Sequence, residues 1–194
     1  MDRRRSRDDE EDVVPTAAKA LNRRFRSHLA LRFSRTVGDE LQAAAHEAGW
    51  IVDLILDVAR SEEWWLGIGY GPYEEPLGRT ARESRGPAFY RAREAVEAAK
   101  ATAPGFAVVG PEGLDHFRDA MLLLVSIVRR RTARQHEAAV LYRQLQSMTA
   151  VARRLGLSPS SVTERLQGAS VREEQVGREL ALHLLQEGME HETT

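Results

Sequence analysis

The side chains in this sequence best suited to chemistry are the cations and hydroxyls gathered in Thr149-Ala-Val-Ala-Arg-Arg-Leu-Gly-Leu-Ser-Pro-Ser-Ser-Val-Thr-Glu-Arg-Leu166. Arg153, Arg154 and Arg165 flank the stretch on its outward faces, where guanidinium groups neutralise backbone phosphates and position a protein on a duplex without reading its sequence. Ser158, Ser160, Ser161, Thr163 and Glu164 are short polar groups early in one helix, from which hydroxyls and carboxylates reach base edges in the major groove. Across residues 129–178 ten arginines face four glutamates, a local excess of six positive charges in a chain whose formal net charge is −1. All 28 cationic residues except Lys19 and Lys100 are arginines, so a single arginine says little here. The local excess over acids says more, and it suits a module that meets phosphates at one end of the chain.

A second set of residues suggests phosphate or metal chemistry. Gly38-Asp39 is a turn after a predicted strand, able to aim a carboxylate at a metal ion, although Gly-Asp is also an ordinary hairpin turn. Gly86-Pro87 opens a helix carrying Arg91 and Arg93, so Gly86 and Arg91 are candidates for anion binding at a helix N-terminus. The glycines of Trp65-Leu-Gly-Ile-Gly-Tyr-Gly71 alternate as in a phosphate loop. No Gly-Lys-Ser/Thr follows, and glycines inside a strand point to close backbone packing. Six scattered histidines and no cysteine give no zinc-ligand spacing and no disulfide, and no Ser/His/Asp set is recognisable. Glu62-Glu63 and Glu74-Glu75 read as solvated loop charges.

The elements that must hold these residues follow from periodicity and turn chemistry. Val151, Ala152 and Leu155 mark the inner face of a short helix that Gly156 ends in a left-handed residue. Leu157 plugs the corner, Ser158 caps the next helix, Pro159 takes its first position, Val162 and Leu166 give it a buried stripe, and Gly168 ends it. That is the pattern of a helix-turn-helix; an ordinary helical hairpin with glycine at its turn is the plain alternative. Thr132-Ala-Arg-Gln135 is a capping box that opens a supporting helix. Upstream, helices are predicted over 17–29, 50–58 and 88–101, with a stripe from Leu114 to Val128 in a further helix. Strands are predicted at 29–34, 40–44, 64–70 and 106–109, the last bounded by Pro104-Gly105 and Gly110-Pro111.

With 42% hydrophobic and 29% charged residues the composition is that of a globular protein with a real core. The longest apolar run, around Met121 to Val128, is far below the ~20 residues of a membrane span. Residues 1–12 alternate basic and acidic blocks and are expected to be solvated or disordered. A charged start without an apolar run, together with the lack of cysteine, leads to the expectation of a cytoplasmic protein.

Thr36-Val-Gly-Asp-Glu-Leu-Gln42, Leu66-Gly-Ile-Gly-Tyr-Gly71, Arg85-Gly-Pro-Ala-Phe-Tyr-Arg-Ala-Arg-Glu-Ala95, Thr132-Ala-Arg-Gln-His-Glu137 and the 149–166 stretch occur in an order that resembles the SatD family, over about residues 20 to 170. Its tail is also similar to region 4 of sigma factors and to MarR-type readers. The resemblance implies a bacterial protein with an N-terminal domain like the palm of nucleotidyl cyclases and a C-terminal helix-turn-helix. In the cyclase analogy a first apolar strand carries one metal-binding aspartate and a second corresponds to Asp39. This chain starts in charge and supplies only the second, which implies either a misassigned start or a degenerate palm, since Mg²⁺ is usually held by several carboxylate and phosphate oxygens.

The expected fold class is therefore an α+β N-terminal domain, cyclase-palm or ferredoxin-like and lacking its first strand, followed by an all-α helix-turn-helix domain. Its expected divisions are a charged start over 1–12, a sensor or scaffold domain over 13–130 and a DNA-binding domain over 131–190. The expected function is transcriptional regulation through double-stranded DNA, as a non-enzyme without a cofactor, with a homodimer and a small-molecule or nucleotide ligand as further expectations. The rivals are a nucleotide-binding or degenerate cyclase-like protein, using Asp39 with Mg²⁺ if the palm is active together with Gly86 and Arg91, and a protein-interaction adaptor.

Overall fold

The computed structural model describes residues 1–3, 12–60, 64–103 and 105–190. Most of the charged start, Glu62-Glu63, Pro104 and His191 lie outside the described residues.

Strand β1 is Asp2–Arg3, and helix α1 is Val14–Phe25. The helix begins ahead of the predicted position because Pro15 fits the first turn, where its missing N–H leaves no bond unmade. It stops sooner because Arg26–His28 tighten into a single 3₁₀ turn before the chain extends. Strands β2 (Leu31–Arg35) and β3 (Leu41–Ala44) form an antiparallel hairpin with Ser34 opposite Gln42 and Arg35 opposite Leu41, irregular between Leu31 and Ser34. The Asn22 side chain acts as a neighbouring strand for β2, its Nδ2 donating to the Phe33 carbonyl and its Oδ1 accepting from the Phe33 N–H, both at 2.8 Å.

Helix α2 is Ile51–Ala59, and strand β4 (Trp64–Gly69), helix α3 (Pro87–Lys100) and strand β5 (Phe106–Val109) form a βαβ unit whose two strands are parallel. The predicted close packing is present. A Cβ on Gly67 would overlap the Val96 nitrogen and one on Gly69 the Ala92 nitrogen, so α3 lies directly on the backbone of β4. Helix α4 (Asp115–Arg129), α5 (Ala133–Leu145), α6 (Met148–Leu155), α7 (Pro159–Gly168) and α8 (Val171–Glu190) complete a mostly helical α+β fold.

Among the described residues two larger apolar clusters hold most of these elements, and a third joins Leu31, Ala81 and Phe89. The larger of the two centres on Leu41, Ile55, Phe106, Phe117, Met121 and Val125, all essentially inaccessible. The smaller of the two is Ala138, Val151, Ala152, Val162 and Leu166, under α5, α6 and α7. Helix α8 touches both: Val171 packs on the small cluster, while Ala181 and Leu185 belong to the large one. Its far end rests on the 112–114 turn, where a Cβ on Gly188 would lie 2.5 Å from the Gly113 carbonyl oxygen.

The first residues depart from expectation. Asp2 pairs with Trp65 and Arg3 with Trp64, so the start of the chain is a strand and not a solvated tail over its whole length. The strands form two sheets, β1-β4-β5 and β2-β3, stitched at one point. There the Met1 nitrogen donates to the Leu41 carbonyl and the Leu41 N–H to the Met1 carbonyl, each at 2.9 Å. The backbone groups along an open strand edge must find partners, and three extended residues suffice to meet two of them.

Candidate nucleic-acid interface

The α5 to α7 segment is built by caps. Thr132 Oγ1 accepts from the Gln135 N–H at 3.3 Å while Gln135 Oε1 accepts from the Thr132 N–H at 2.9 Å, the reciprocal pair predicted from the sequence. Gln146, at φ 49°, ends α5, and Ser147 starts α6 by accepting from the Ala150 N–H at 3.3 Å. Val151 and Ala152 face inward, Gly156 turns the chain at φ 65°, and the Leu157 N–H closes the corner on the Ala152 carbonyl at 2.9 Å. Val162 and Leu166 then bury α7.

Helix α7 ends at Gly168, as the sequence reading expects, but not through a left-handed glycine: Gly168 is the last helical residue, Ala169 is the cap, and Ser170 at φ 50° makes the exit. At Gly168 the supporting helix comes close, a Cβ there lying 2.7 Å from Gln135 Nε2, the end of a side chain that can shift.

The structure separates the candidate DNA residues by what already engages them. Ser158 Oγ is a cap, accepting from the Ser161 N–H at 3.2 Å and bonded to Ser160 Oγ at 2.9 Å and Ser161 Oγ at 3.0 Å. Thr163 Oγ1 donates to the Pro159 carbonyl at 3.0 Å, so its lone pairs, and not its proton, are available to a ligand. The side chains of Glu164, Arg153, Arg154 and Arg165 make no hydrogen bond or ion pair with any described residue. Arg153, Arg154, Ser160 and Glu164 are exposed, and Ser161, Thr163 and Arg165 are half-buried.

The same test divides the ten arginines of 129–178. Arg129 donates to the Ala59 carbonyl, Arg130 to the Ser126 carbonyl, and Arg131, Arg143 and Arg178 reach buried or half-buried acids. Those are structural. Arg134, Arg153, Arg154, Arg165 and Arg172 have neither a side-chain hydrogen bond nor an acidic partner among the described residues, and all lie on or beside the three-helix unit. Arg134 and Arg172 were not singled out by the sequence, whose only signal for them was the regional count.

Behind the hairpin lies a buried ionic joint. Glu174 on α8 contacts Arg131 at 2.5 Å, Arg178 at 2.6 Å and Arg143 at 3.9 Å, with the side chains of Glu174 and Arg131 only 10% and 4% exposed. The Arg131 Nη2 contact is one of charge without hydrogen-bond alignment; its Nε carries the hydrogen bond, to the Ala169 carbonyl at 2.7 Å. Arg178 also reaches Asp53 on α2, so the joint ties the exit of α7 to the large core. Burial raises the Glu174 carboxyl, but Arg178 and Arg131 outweigh it and hold it below the usual range. Asp57 goes the other way: burial outweighs Arg24 and Arg143 and pushes it up. Burial, followed by Arg60, Arg131 and Arg143, lowers His136 to about 4.

The second candidate set is less open. Asp39 sits in the β2–β3 turn beside Gly38, at φ 55°. Gly86 does start α3, at φ 124°, but the 72–74 loop covers it: a Cβ there would be 2.5 Å from Tyr73 Cα, and the Ala88 N–H already donates to the Pro72 carbonyl. Arg91 Nη1 donates to the Tyr70 carbonyl at 2.7 Å. Among the described residues no group of three or more acids or histidines is arranged to hold a metal ion, and no helix is long and apolar enough to cross a membrane. Comparison with family models, curated proteins and solved structures finds no match to this chain, so the assignment of a function rests on the site itself.

Proposed function

We propose that α6 and α7 are a helix-turn-helix that binds double-stranded DNA, with α7 in the major groove, and that the chain is a cytoplasmic bacterial transcriptional regulator. The observation that carries this reading is the group of five arginines whose side chains have no hydrogen-bond or acidic partner among the described residues, around a hairpin whose exposed face is otherwise short and polar. Arginines kept from internal ion pairs retain their charge for phosphates, and each phosphate neutralised makes affinity steeper in salt. Glu164, Ser160 and Thr163 are the side chains of α7 left to meet base edges, and Arg153, Arg154 and Arg165 act on phosphates. The α+β part, read as a palm-like layer, scaffolds or senses; Arg91 and the start of α3 are engaged internally, which weighs against a nucleotide there.

Fluorescence anisotropy on random genomic fragments at 50 to 200 mM salt tests the proposal. Arg153→Ala and Arg154→Ala should each reduce the log–log salt slope by about 0.9 and weaken all sequences alike. Glu164→Ala should change sequence preference while leaving the slope in place. Absence of binding at 50 mM salt, or a slope indifferent to both arginines, would sink the DNA reading.

A further inference from the structure

Helices α4 and α8 pack antiparallel, with Gly177 against Leu124 at one level and Gly188 against Gly113 at the far end. At about 100° per residue, each helix has one side towards the other, one towards the core and one away from both. The inner side is Phe117, Met121 and Val125 on α4 with Ala181 and Leu185 on α8, all in the large core, and Arg178 turns the same way to reach Asp53 on α2. The outer side is Ala120, Leu123 and Ile127 on α4 beside Glu173, Val176 and Leu180 on α8. Because the helices are antiparallel and in contact, these two outer sides form one continuous surface.

The surface is apolar in the middle, where the solvent side of a helix is ordinarily polar. Leu123 is 70% exposed, Val176 60% and Leu180 52%. Charge stands at the two ends. Where α4 ends and α8 begins, Arg130 lies on the α4 side and Glu173 on the α8 side; the Arg130 side chain bonds only the Ser126 carbonyl, and that of Glu173 has no hydrogen-bond or ionic partner among the described residues. At the opposite end His116 lies on the outer side of α4 and Glu187 on that of α8. Each end therefore places a basic residue on α4 and an acid on α8.

We infer that this face is covered by the same face of a second copy of the chain, the two related by a two-fold axis parallel to α4 and α8. That axis lays α4 of each copy over α8 of the other at equal height. Arg130 then meets Glu173 of the other copy, His116 meets Glu187 of the other copy, and Leu123 packs between them on Val176 and Leu180 of the other copy. A two-fold axis across the helices would instead lay α4 on α4 and α8 on α8 end for end, setting Arg130 against His116 and Glu173 against Glu187, like against like. A charge pattern that complements itself about one axis and repels itself about the other selects a second copy as the occupant. The parallel axis also keeps both hairpins at one end of the dimer, where the chain leaves Arg130 for α5 and returns through Ser170 to α8, as two half-sites on one duplex require. That last consequence rests on the DNA reading; the interface does not. The face measures roughly 20 by 22 Å, two packed helices across and the length of α4 along, which is the small, transient class of interface and corresponds to association in the micromolar range.

Sedimentation equilibrium of the full chain without DNA, from about 1 to about 200 μM at low salt, tests the interface apart from the DNA reading. The mass should rise from that of one chain towards that of two. Leu123→Asp should weaken association at least tenfold while leaving the thermal melt of the dilute protein in place, since the side chain it replaces is 70% exposed. Arg130→Glu and Glu173→Arg should each weaken association at least tenfold, because each homodimer then sets two like-charged pairs face to face. Mixed in equal amounts, these two variants should form a heterodimer with the affinity of the wild type, which no effect within one chain can produce. A chain that stays monomeric over the whole range overturns the proposal and leaves the face to a different partner. Dimers indifferent to Leu123→Asp, or a mixture that associates no more tightly than either variant alone, overturn it as well.

Discussion

Glu174→Gln tests whether the ionic joint behind the hairpin holds the fold together. The carboxylate is shared by Arg131 at 2.5 Å, Arg178 at 2.6 Å and Arg143 at 3.9 Å, and it is 10% exposed. Removing one partner of a buried pair costs roughly 3–5 kcal/mol, because the other charge stays buried without compensation. Glutamine keeps the shape, Arg178 keeps Asp53 and Arg131 keeps the Ala169 carbonyl, so the loss falls at the low end, about 3 kcal/mol. For a chain of this length that is a drop of roughly 6–12 °C in Tm. The pH dependence follows from the sign of the shift. The folded carboxyl lies below its unfolded value of 4.5, so its stabilisation is complete above that pH and is lost as pH falls through the folded value. The gap between wild type and variant should be full at pH 7 and shrink below about pH 4.5. Urea titrations at pH 7, 5 and 4 measure it, and Arg131→Met with Glu174→Leu should recover much of the loss. A change under about 0.5 kcal/mol at pH 7, or a gap indifferent to pH, would refute the reasoning.

Three further outcomes are expected. His136 is lowered to about 4, so its contribution is complete above 6.5 and is lost as pH falls from there towards 4; His136→Gln should flatten that part of the stability profile. The slope removed is at most about 1.4 kcal/mol per pH unit and smaller for a ring that water partly reaches; an unchanged profile would count against it. Gly69→Ala drives a Cβ into the backbone of Ala92 and to 2.6 Å from the Ala88 carbonyl, neither of which can rotate away, so a loss of about 3 kcal/mol or more in urea unfolding is expected, and under 1 would contradict the packing. Asp39→Asn should leave fold and DNA affinity intact, and calorimetry with Mg²⁺ and purine nucleotides should show no binding to either form; micromolar binding lost on substitution would revive the nucleotide reading.

What the sequence made legible was local. The Thr132 box, the Gly156 turn and the Ser158-Pro159 start were readable because each depends on residues within four positions of one another. The close approach of α3 at Gly67 and Gly69 was readable because glycines inside a strand have few other uses. The Asn22 bond to Phe33, the pairing of Asp2 and Arg3 with β4 and the Glu174 joint were not, since each joins segments whose distance along the chain gives no periodic trace. The arginines show the limit most clearly: their number pointed to DNA, but five of the ten in the region proved to be engaged internally, which only coordinates could separate from the rest.

Helix α8 has a practical consequence for anyone wishing to cut the molecule. The composition changes near residue 130, inviting excision of 131–190 as a reader on its own. That piece would carry Ala181, Leu184, Leu185 and Met189 as a bare apolar stripe, because their packing partners, including Phe117, Val125 and Leu114, stay on the discarded side. The five buried residues under the hairpin make too small a core to offset that exposure. The excised piece should self-associate through the stripe, and a soluble monomeric reader would need polar substitutions along that face of α8 or a cut placed before it.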